Sequence, residues 1–200
     1  METYKWSTMS GKLKGIPALN TNTLSNKFCI SQSNKGVDNS ICTYCYSVEM
    51  LETFRKNCVN RFEKNSVYLS SRVHEFDYLP KAVGVIARFN GHGELINKTH
   101  LENIFRICEN QPNTIFALWT KKIGIVQSTI KNGRKKPINL ILVYSNEYID
   151  NIIEEPPKFF DKVFNNVSKD TDKINCRKDC IECMLCYSKN KTNIIIERVK

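Results

Sequence analysis

Strand-length apolar segments alternate with helical segments through the middle of this sequence, and the alternation limits the folds open to it. Apolar runs cover residues 83–89, 114–120 and 138–144. Between them, residues 98–110 and 123–131 place apolar side chains at the three- and four-residue spacing of an amphipathic helix. Apolar strands separated by such helices are typical of a parallel sheet with right-handed crossovers. The sequence therefore predicts an α/β fold.

The remaining segments add elements at either end of this pattern. The chain before residue 40 predicts irregular structure with one short strand at 15–19. A helix with Leu51, Phe54, Cys58 and Phe62 on its apolar face is expected next. Further strands are expected at 160–164 and 192–198.

Composition sets the class of protein. A hydrophobic content of 41% in 200 residues excludes a disordered chain. No apolar run approaches the roughly 20 residues of a membrane span, and the first 14 residues are polar, so we expect a cytoplasmic protein with no membrane partner. We expect one α/β domain over 1–200, with an N-terminal cysteine region at 1–46, a β/α core at 47–150 and a cysteine cluster with a closing strand at 151–200.

Seven of the nine cysteines fall into two groups. The first group is Cys29, Cys42 and Cys45. Three thiolates are one fewer than a structural zinc ion requires, whereas three cysteines on a [4Fe–4S] cluster leave one iron open to another ligand. Zinc remains an alternative if His74, His92 or a distant cysteine supplies the fourth ligand.

The second group places four thiols within eleven residues, at Cys176, Cys180, Cys183 and Cys186. Cysteines at every third position resemble the spacing in bacterial ferredoxins, so a second [4Fe–4S] cluster is favoured, with zinc as the alternative. Cys58 and Cys108 lie on apolar helix faces and are expected in the core.

Polar side chains follow each of the three central strands. In open α/β sheets the ligand sites collect at the carboxyl ends of the strands. This places a site for a polar small molecule near Gly93, Glu94, Thr120, Lys121 and Ser145. Arg88, late in a buried strand, requires an anionic partner because a buried unpaired charge is costly. His100, in the first turn of a helix, is expected to be exposed.

The cysteine and strand-end motifs resemble those of the radical S-adenosylmethionine superfamily. Cys42-x-Tyr44-Cys45 is similar to the end of its cluster loop, and Gly93-Glu94 is similar to its Gly-Gly-Glu motif. The resemblance implies that Tyr44 lies near the adenine and that Glu94 holds the methionine amino group. It implies ribose and carboxylate contacts for Lys121 and Ser145.

A closer resemblance is to the phage gene product 88 family, whose features occur here in order. They are Lys12-Leu13, Ile16-Pro17-Ala18, Cys29, Cys42 to Tyr46, Arg88, Gly93-Glu94, Pro112, Phe116, Thr120-Lys121, Pro137, Asn139, Ser145 and the late cysteines. The resemblance implies a radical-SAM-like parallel sheet or partial (β/α) barrel with a cysteine-rich C-terminal appendage, in the host cytoplasm if the chain is phage-encoded. It implies one or two [4Fe–4S] clusters and S-adenosylmethionine as cofactors. The implied cofactor-binding residues are Tyr44, Arg88, Gly93, Glu94, Thr120, Lys121 and Ser145.

Three functions remain open at this point. The first is a radical-SAM-like enzyme of unknown substrate. The second is a nucleic-acid-binding protein that is stabilised by iron–sulfur clusters or zinc. It is suggested by the net charge of +10 and the basic run at 131–136. The third is a phage interaction protein in which the cysteine groups are structural.

Overall fold

The strands form one parallel sheet in the order of the sequence. The computed structural model describes residues 4–199. Its strands are β1 (Ala18–Leu19), β2 (Ile86–Phe89), β3 (Ile115–Thr120), β4 (Leu140–Ile149), β5 (Lys162–Val167) and β6 (Ile194–Arg198). Neighbours in the sheet are neighbours in the chain, and every pairing is parallel. The predicted α/β fold with a parallel sheet is confirmed.

The α-helices lie in the connections between these strands. They are α1 (Lys27–Asn34), α2 (Tyr46–Glu52), α3 (Val59–Ser71), α4 (Lys98–Glu109), α5 (Ile123–Lys131) and the short α6 (Cys180–Cys183). Single 3-10 turns occur at Gly11–Leu13, Lys56–Cys58, Phe76–Tyr78 and Leu185–Tyr187. No helix within residues 4–199 has the length and apolar character needed to cross a membrane.

The helices α3, α4 and α5 cover one face of the sheet. Side chains alternate between the two faces of a strand, and Phe116 and Leu118 of β3 point toward this helical layer. They pack with Leu69 of α3, Ile104 of α4 and Val126 of α5, all of which are fully buried. The core on this side of the sheet is therefore formed by the apolar faces of three amphipathic helices.

A segment with little regular structure covers the opposite face. The intervening side chains of β3 and β4, among them Trp119 and Val143, pack against Cys176, Cys186 and Tyr187. This segment joins β5 to β6, so the second cysteine group lies within the sheet's second layer rather than beside it. Parallel sheets require cover on both faces, and the cysteine segment supplies it here.

Three local expectations about the helices fail for identifiable reasons. The N-terminal region contains α1, which has no buried residue and therefore no apolar periodicity to detect. The helix predicted through Phe54 is broken after α2, so Phe54 is 84% exposed. Cys58 falls in the turn before α3 and is only half-buried. Cys108, by contrast, is buried in α4 as predicted.

His100 is buried, which corrects the expectation that it is exposed. Asn97 caps α4 by accepting a hydrogen bond from the His100 backbone N–H at 2.9 Å. The cap turns the imidazole inward, where Nδ1 accepts a hydrogen bond from the Ile96 N–H at 3.3 Å. Burial lowers the pKa of His100 to about 3, so the ring is neutral in the folded protein at neutral pH.

Replacing His100 with Asn should reduce the acid sensitivity of the fold. The unfolded state binds a proton at His100 below pH 6.5, whereas the folded state resists it down to about pH 3. Stability is therefore lost as the pH falls through this window, by about 2 kcal/mol at pH 5. In urea unfolding between pH 7 and pH 5, the wild type should lose more stability than His100→Asn. The amide oxygen of the introduced Asn can accept the hydrogen bond that His100 Nδ1 accepts in the wild type. Parallel profiles for the two proteins would contradict this role.

Candidate functional site

The carboxylate of Glu94 lies at the centre of the carboxyl ends of the strands. The residue is 5% exposed. Its Oε1 accepts hydrogen bonds from the Thr120 hydroxyl at 2.5 Å and the Leu95 N–H at 2.6 Å, and its Oε2 accepts one from the Lys121 N–H at 2.8 Å. A carboxylate offers about four lone-pair sites, so Oε2 retains acceptor capacity. Residues at the ends of β2 and β3 thus meet around this carboxylate.

Lys121 links this carboxylate to the next strand. Its ammonium donates to the Ser145 hydroxyl of β4 at 3.0 Å. Burial raises the pKa of Glu94, while the Lys121 charge and the hydrogen bonds from Thr120, Lys121 and Leu95 oppose the rise. Four of the predicted strand-end residues, Glu94, Thr120, Lys121 and Ser145, therefore form one connected group.

Cys29 is positioned by a cap that also contacts the Glu94 backbone. Asn26 caps α1, its side-chain oxygen accepting from the N–H groups of Phe28 and Cys29 at 3.0 and 3.3 Å. Its amide nitrogen donates to the Glu94 carbonyl at 3.0 Å. A single buried Asn side chain thus fixes the first turn of α1, which carries Cys29, to the loop after β2.

Cys45 is tied to the same loop by a second polar network. Cys45 immediately precedes α2, and Ser47 in its first turn makes a hydrogen bond with His92 Nδ1 at 2.8 Å. The Ser47 hydroxyl also lies 2.5 Å from the Thr23 hydroxyl, which accepts from the Gly93 N–H at 2.9 Å. Burial, together with two nearby arginines, lowers the pKa of His92 to about 4, so it serves as a neutral hydrogen-bonding group.

The loop before Cys42 is held by the end of β4. The Ile41 N–H donates to the Glu147 carbonyl at 2.9 Å, and the Ile149 N–H donates to the Asn39 carbonyl at 2.7 Å. These bonds form where β4 shifts its register against β5, between Ser145 and Ile149. The irregular end of β4 therefore positions the cysteine loop as well as Ser145.

The charges of Glu94 and Lys121 act on thiols of the first cysteine group. Burial raises the pKa of Cys29, the Glu94, Cys45 and Cys42 charges raise it further, and Lys121 opposes them. Burial likewise raises the pKa of Cys42, and Lys121 again lowers it. Within residues 4–199, no three His, Cys, Asp or Glu side chains are grouped so as to hold a single metal ion.

Tyr44 and Arg88 lie apart from this connected group. Tyr44 sits on the cysteine loop and is 64% exposed. Arg88 points to the face opposite the helices, where its guanidinium carbon lies 3.8 Å from the centre of the Trp119 ring. Arg88 therefore faces the cysteine segment rather than the strand ends.

The Lys12 side chain contacts the second cysteine group at the edge of the sheet. The Lys12 ammonium donates to the Cys176 carbonyl at 2.8 Å and to Glu197 at 2.5 Å, and lies 3.8 Å from the Cys176 sulfur. Burial raises the pKa of Cys176 to about 11 with help from Glu197, while Lys12 opposes the rise. The Arg88 charge lowers the pKa of Cys180 and of Cys186 against the larger effect of burial.

Sequence reasoning missed the buried polar residues that position the thiols. These are Thr23, Asn26, Ser47 and the ring of His92 in its structural role. The Asn three residues before Cys29 is a helix-cap signal that could have been used. The other three bond over 24 to 70 residues of chain, and nothing in the local sequence marks such pairs.

The basic run at 131–136 is partly neutralised. Arg134 forms ion pairs with Glu102 at 2.8 Å and Glu109 at 2.7 Å, and Lys136 forms one with Asp161 at 2.5 Å. Lys131 and Lys135 remain exposed. This arrangement weakens the run as a phosphate-binding surface.

Gly93 is required by its position, and Gly93→Ala should destabilise the fold. Its φ is +84°, and an added Cβ would lie 2.1 Å from the Thr21 hydroxyl and 2.5 Å from the Thr21 carbonyl oxygen. Strain and the clash should cost about 2–4 kcal/mol, measured by urea unfolding. Gly124→Ala is the matched control: its Cβ meets nothing within 4 Å in α5, so it should be neutral or stabilising by up to about 1 kcal/mol. Equal effects would refute this account of the loop.

Comparison with known families gives one extensive match. Comparison with curated proteins and with solved structures returns none. The family described as Gene product 88 matches residues 7–194. The match spans β1 to the first residue of β6, and with it both cysteine groups and the Glu94 group. This chain therefore belongs to the gene product 88 family.

Proposed function

We propose that the protein is an iron–sulfur enzyme of radical S-adenosylmethionine type. One observation carries the proposal: two separate cysteine-bearing segments, around Cys29 and Cys45, are hydrogen-bonded to the same loop, 91–94, at the ends of the strands. Three thiolates leave one iron of a [4Fe–4S] cluster available for a ligand. Such a cluster, reduced by an external one-electron donor, would supply the electron that cleaves S-adenosylmethionine to methionine and a 5′-deoxyadenosyl radical.

The residues around the thiols suit this cofactor pair. Cys29, Cys42 and Cys45 would hold the cluster, and Lys121 would offset part of the negative charge that three thiolates introduce. The unused acceptor capacity of Glu94 Oε2 suits an ammonium group such as that of the methionine moiety. Lys121 and Ser145 offer donors to hydroxyl and carboxylate oxygens, and exposed Tyr44 offers a ring face for a base.

The order of the strands also supports the proposal. A parallel sheet in sequential order, with α4 and α5 as crossovers on one face, is the arrangement of a (β/α) barrel that has not closed. In barrels, chemistry takes place at the carboxyl ends of the strands, and this is where Glu94, Lys121 and Ser145 lie. We therefore propose that the sheet is part of a partial (β/α) barrel.

The second cysteine group would hold another [4Fe–4S] cluster. Its four thiols fall within electrostatic reach of one another, and Lys12 and Arg88 supply positive charge. Four thiolates saturate a cluster, so this site suits electron transfer or structural support rather than ligand binding. Loss of the cluster would uncover the sheet face that Cys176 and Cys186 pack against.

Metal analysis of anaerobically purified protein should give about eight irons and eight sulfides per chain. Cys45→Ala should lower the iron content by about half and abolish formation of 5′-deoxyadenosine under reducing conditions. Cys58→Ala is the control, because Cys58 lies outside both groups. Zinc without iron would refute the proposal and favour a nucleic-acid-binding protein with structural zinc. The affinity of that protein for DNA and RNA would then be measured as a function of salt concentration.

Replacing Lys121 with Met should weaken S-adenosylmethionine binding about tenfold, the effect of losing one charge-assisted hydrogen bond. The backbone N–H of Lys121 still reaches Glu94, so the carboxylate keeps its partners. Lys122→Met is the matched control, because the Lys122 ammonium lies over the Phe28 ring instead, 4.7 Å from its centre. Equal affinities for the two variants, measured at equal iron content, would contradict the role of Lys121.

A further inference from the structure

Arg88 acts on the thiols of Cys180 and Cys186, but in the described part of the chain its guanidinium has no carboxylate partner. Within residues 4–199, no carboxylate forms an ion pair with Arg88, and its guanidinium donates no hydrogen bond. Its Nε is buried without a partner, while the residue as a whole is half-buried. Stacking on Trp119 at 3.8 Å fixes the plane of the guanidinium without neutralising it. A half-buried guanidinium whose orientation is fixed in this way is positioned to bind an anion.

A second unpaired donor contacts the same indole ring. Tyr187 is 1% exposed, and its hydroxyl has no hydrogen-bond partner. The centres of the Tyr187 and Trp119 rings are 5.9 Å apart, so Arg88 and Tyr187 both flank Trp119. Buried tyrosine hydroxyls normally find a partner because an unsatisfied one is costly. Two orphaned donors against one aromatic ring point to a ligand rather than to a packing defect.

The surroundings of the two donors define what they can bind. They lie on the sheet face that carries the second cysteine group, with Cys186 adjacent to Tyr187 in the chain. Arg88 also exerts its charge on Tyr46, next to Cys45 in the first group. Arg88 thus acts electrostatically on residues beside both cysteine groups, and the cation and the hydroxyl both require hydrogen-bond acceptors.

We propose that Arg88 and Tyr187 bind an oxyanion of the substrate, a carboxylate or a phosphate, over the face of Trp119. The planar guanidinium donates through Nε and a terminal nitrogen, which matches the two oxygens of either group. This reassigns Arg88 from the cofactor to the substrate. The inference rests on the proposed function only in calling the oxyanion part of a substrate, because the two donors are unpaired whether or not the protein is an enzyme.

Inorganic phosphate and malonate, titrated separately into the anaerobically purified full-length protein, test the site. Binding is measured by calorimetry and by the rise in the thermal midpoint. The wild type should bind at least one of the two probes saturably, and the preferred probe identifies the oxyanion. Tyr187→Phe should weaken that binding about tenfold. The same variant should be at least as stable as the wild type without ligand, because it removes only an unpaired hydroxyl.

Arg88→Met should abolish the binding, and Lys35→Met, which removes an exposed surface charge, should leave it unchanged. Iron content is measured for every variant. The inference is overturned if neither probe binds the wild type, or if Tyr187→Phe binds as the wild type does. If Arg88→Met loses iron while Tyr187→Phe binds normally, Arg88 is a counter-charge to the cysteine group instead. Saturable binding of a probe by a protein that does not cleave S-adenosylmethionine would refute the proposed function but support the oxyanion site.

Discussion

The carboxylate of Glu94 is buried, and an ionised carboxylate in the interior is tolerated only when hydrogen-bond donors and opposite charge surround it. Those donors come from the ends of two neighbouring strands, so the charge fixes how the loops after β2 and β3 meet. The backbone carbonyl of the same residue accepts from Asn26, which sets the first turn of the helix that carries Cys29. One buried acid thereby connects the sheet, the ammonium of Lys121 and a thiol.

The two faces of the sheet are covered by different means. On one face, three amphipathic helices bury apolar stripes, and local hydrogen bonds satisfy their backbones. On the other face, the connection between β5 and β6 contains only a four-residue helix and a 3-10 turn, yet it buries Cys176, Cys186 and Tyr187. A segment with so little regular structure would gain stability from the cross-links of the metal site proposed above.

The strands and the crossover helices could be predicted from the sequence because their apolar spacing is repeated over whole elements. The helix at 123–131 has the predicted bounds, and β2, β3, β5 and β6 lie within a few residues of expectation. The helix α1 was missed because it buries nothing, and the helix predicted after Cys45 was carried too far, because α2 ends before Phe54. In the site, strand-end polarity indicated Glu94 and Lys121. The network through His92 joins residues that are distant in the chain, and no local spacing encodes it.

The role of the net charge of +10 depends on where the individual cations lie in the structure. In the basic run, Arg134 and Lys136 are paired with acids, so little of that charge is free to attract phosphates. Lys121, Lys12 and Arg88 instead direct their charge toward thiols on the inner side of the fold. Thiolate ligands accumulate negative charge in a site of low polarity, and burial alone would keep these thiols protonated. Lys12, Lys121 and Arg88 lower the pKa values of thiols in the two groups, so these cations would favour the thiolate ligands that the proposed clusters need.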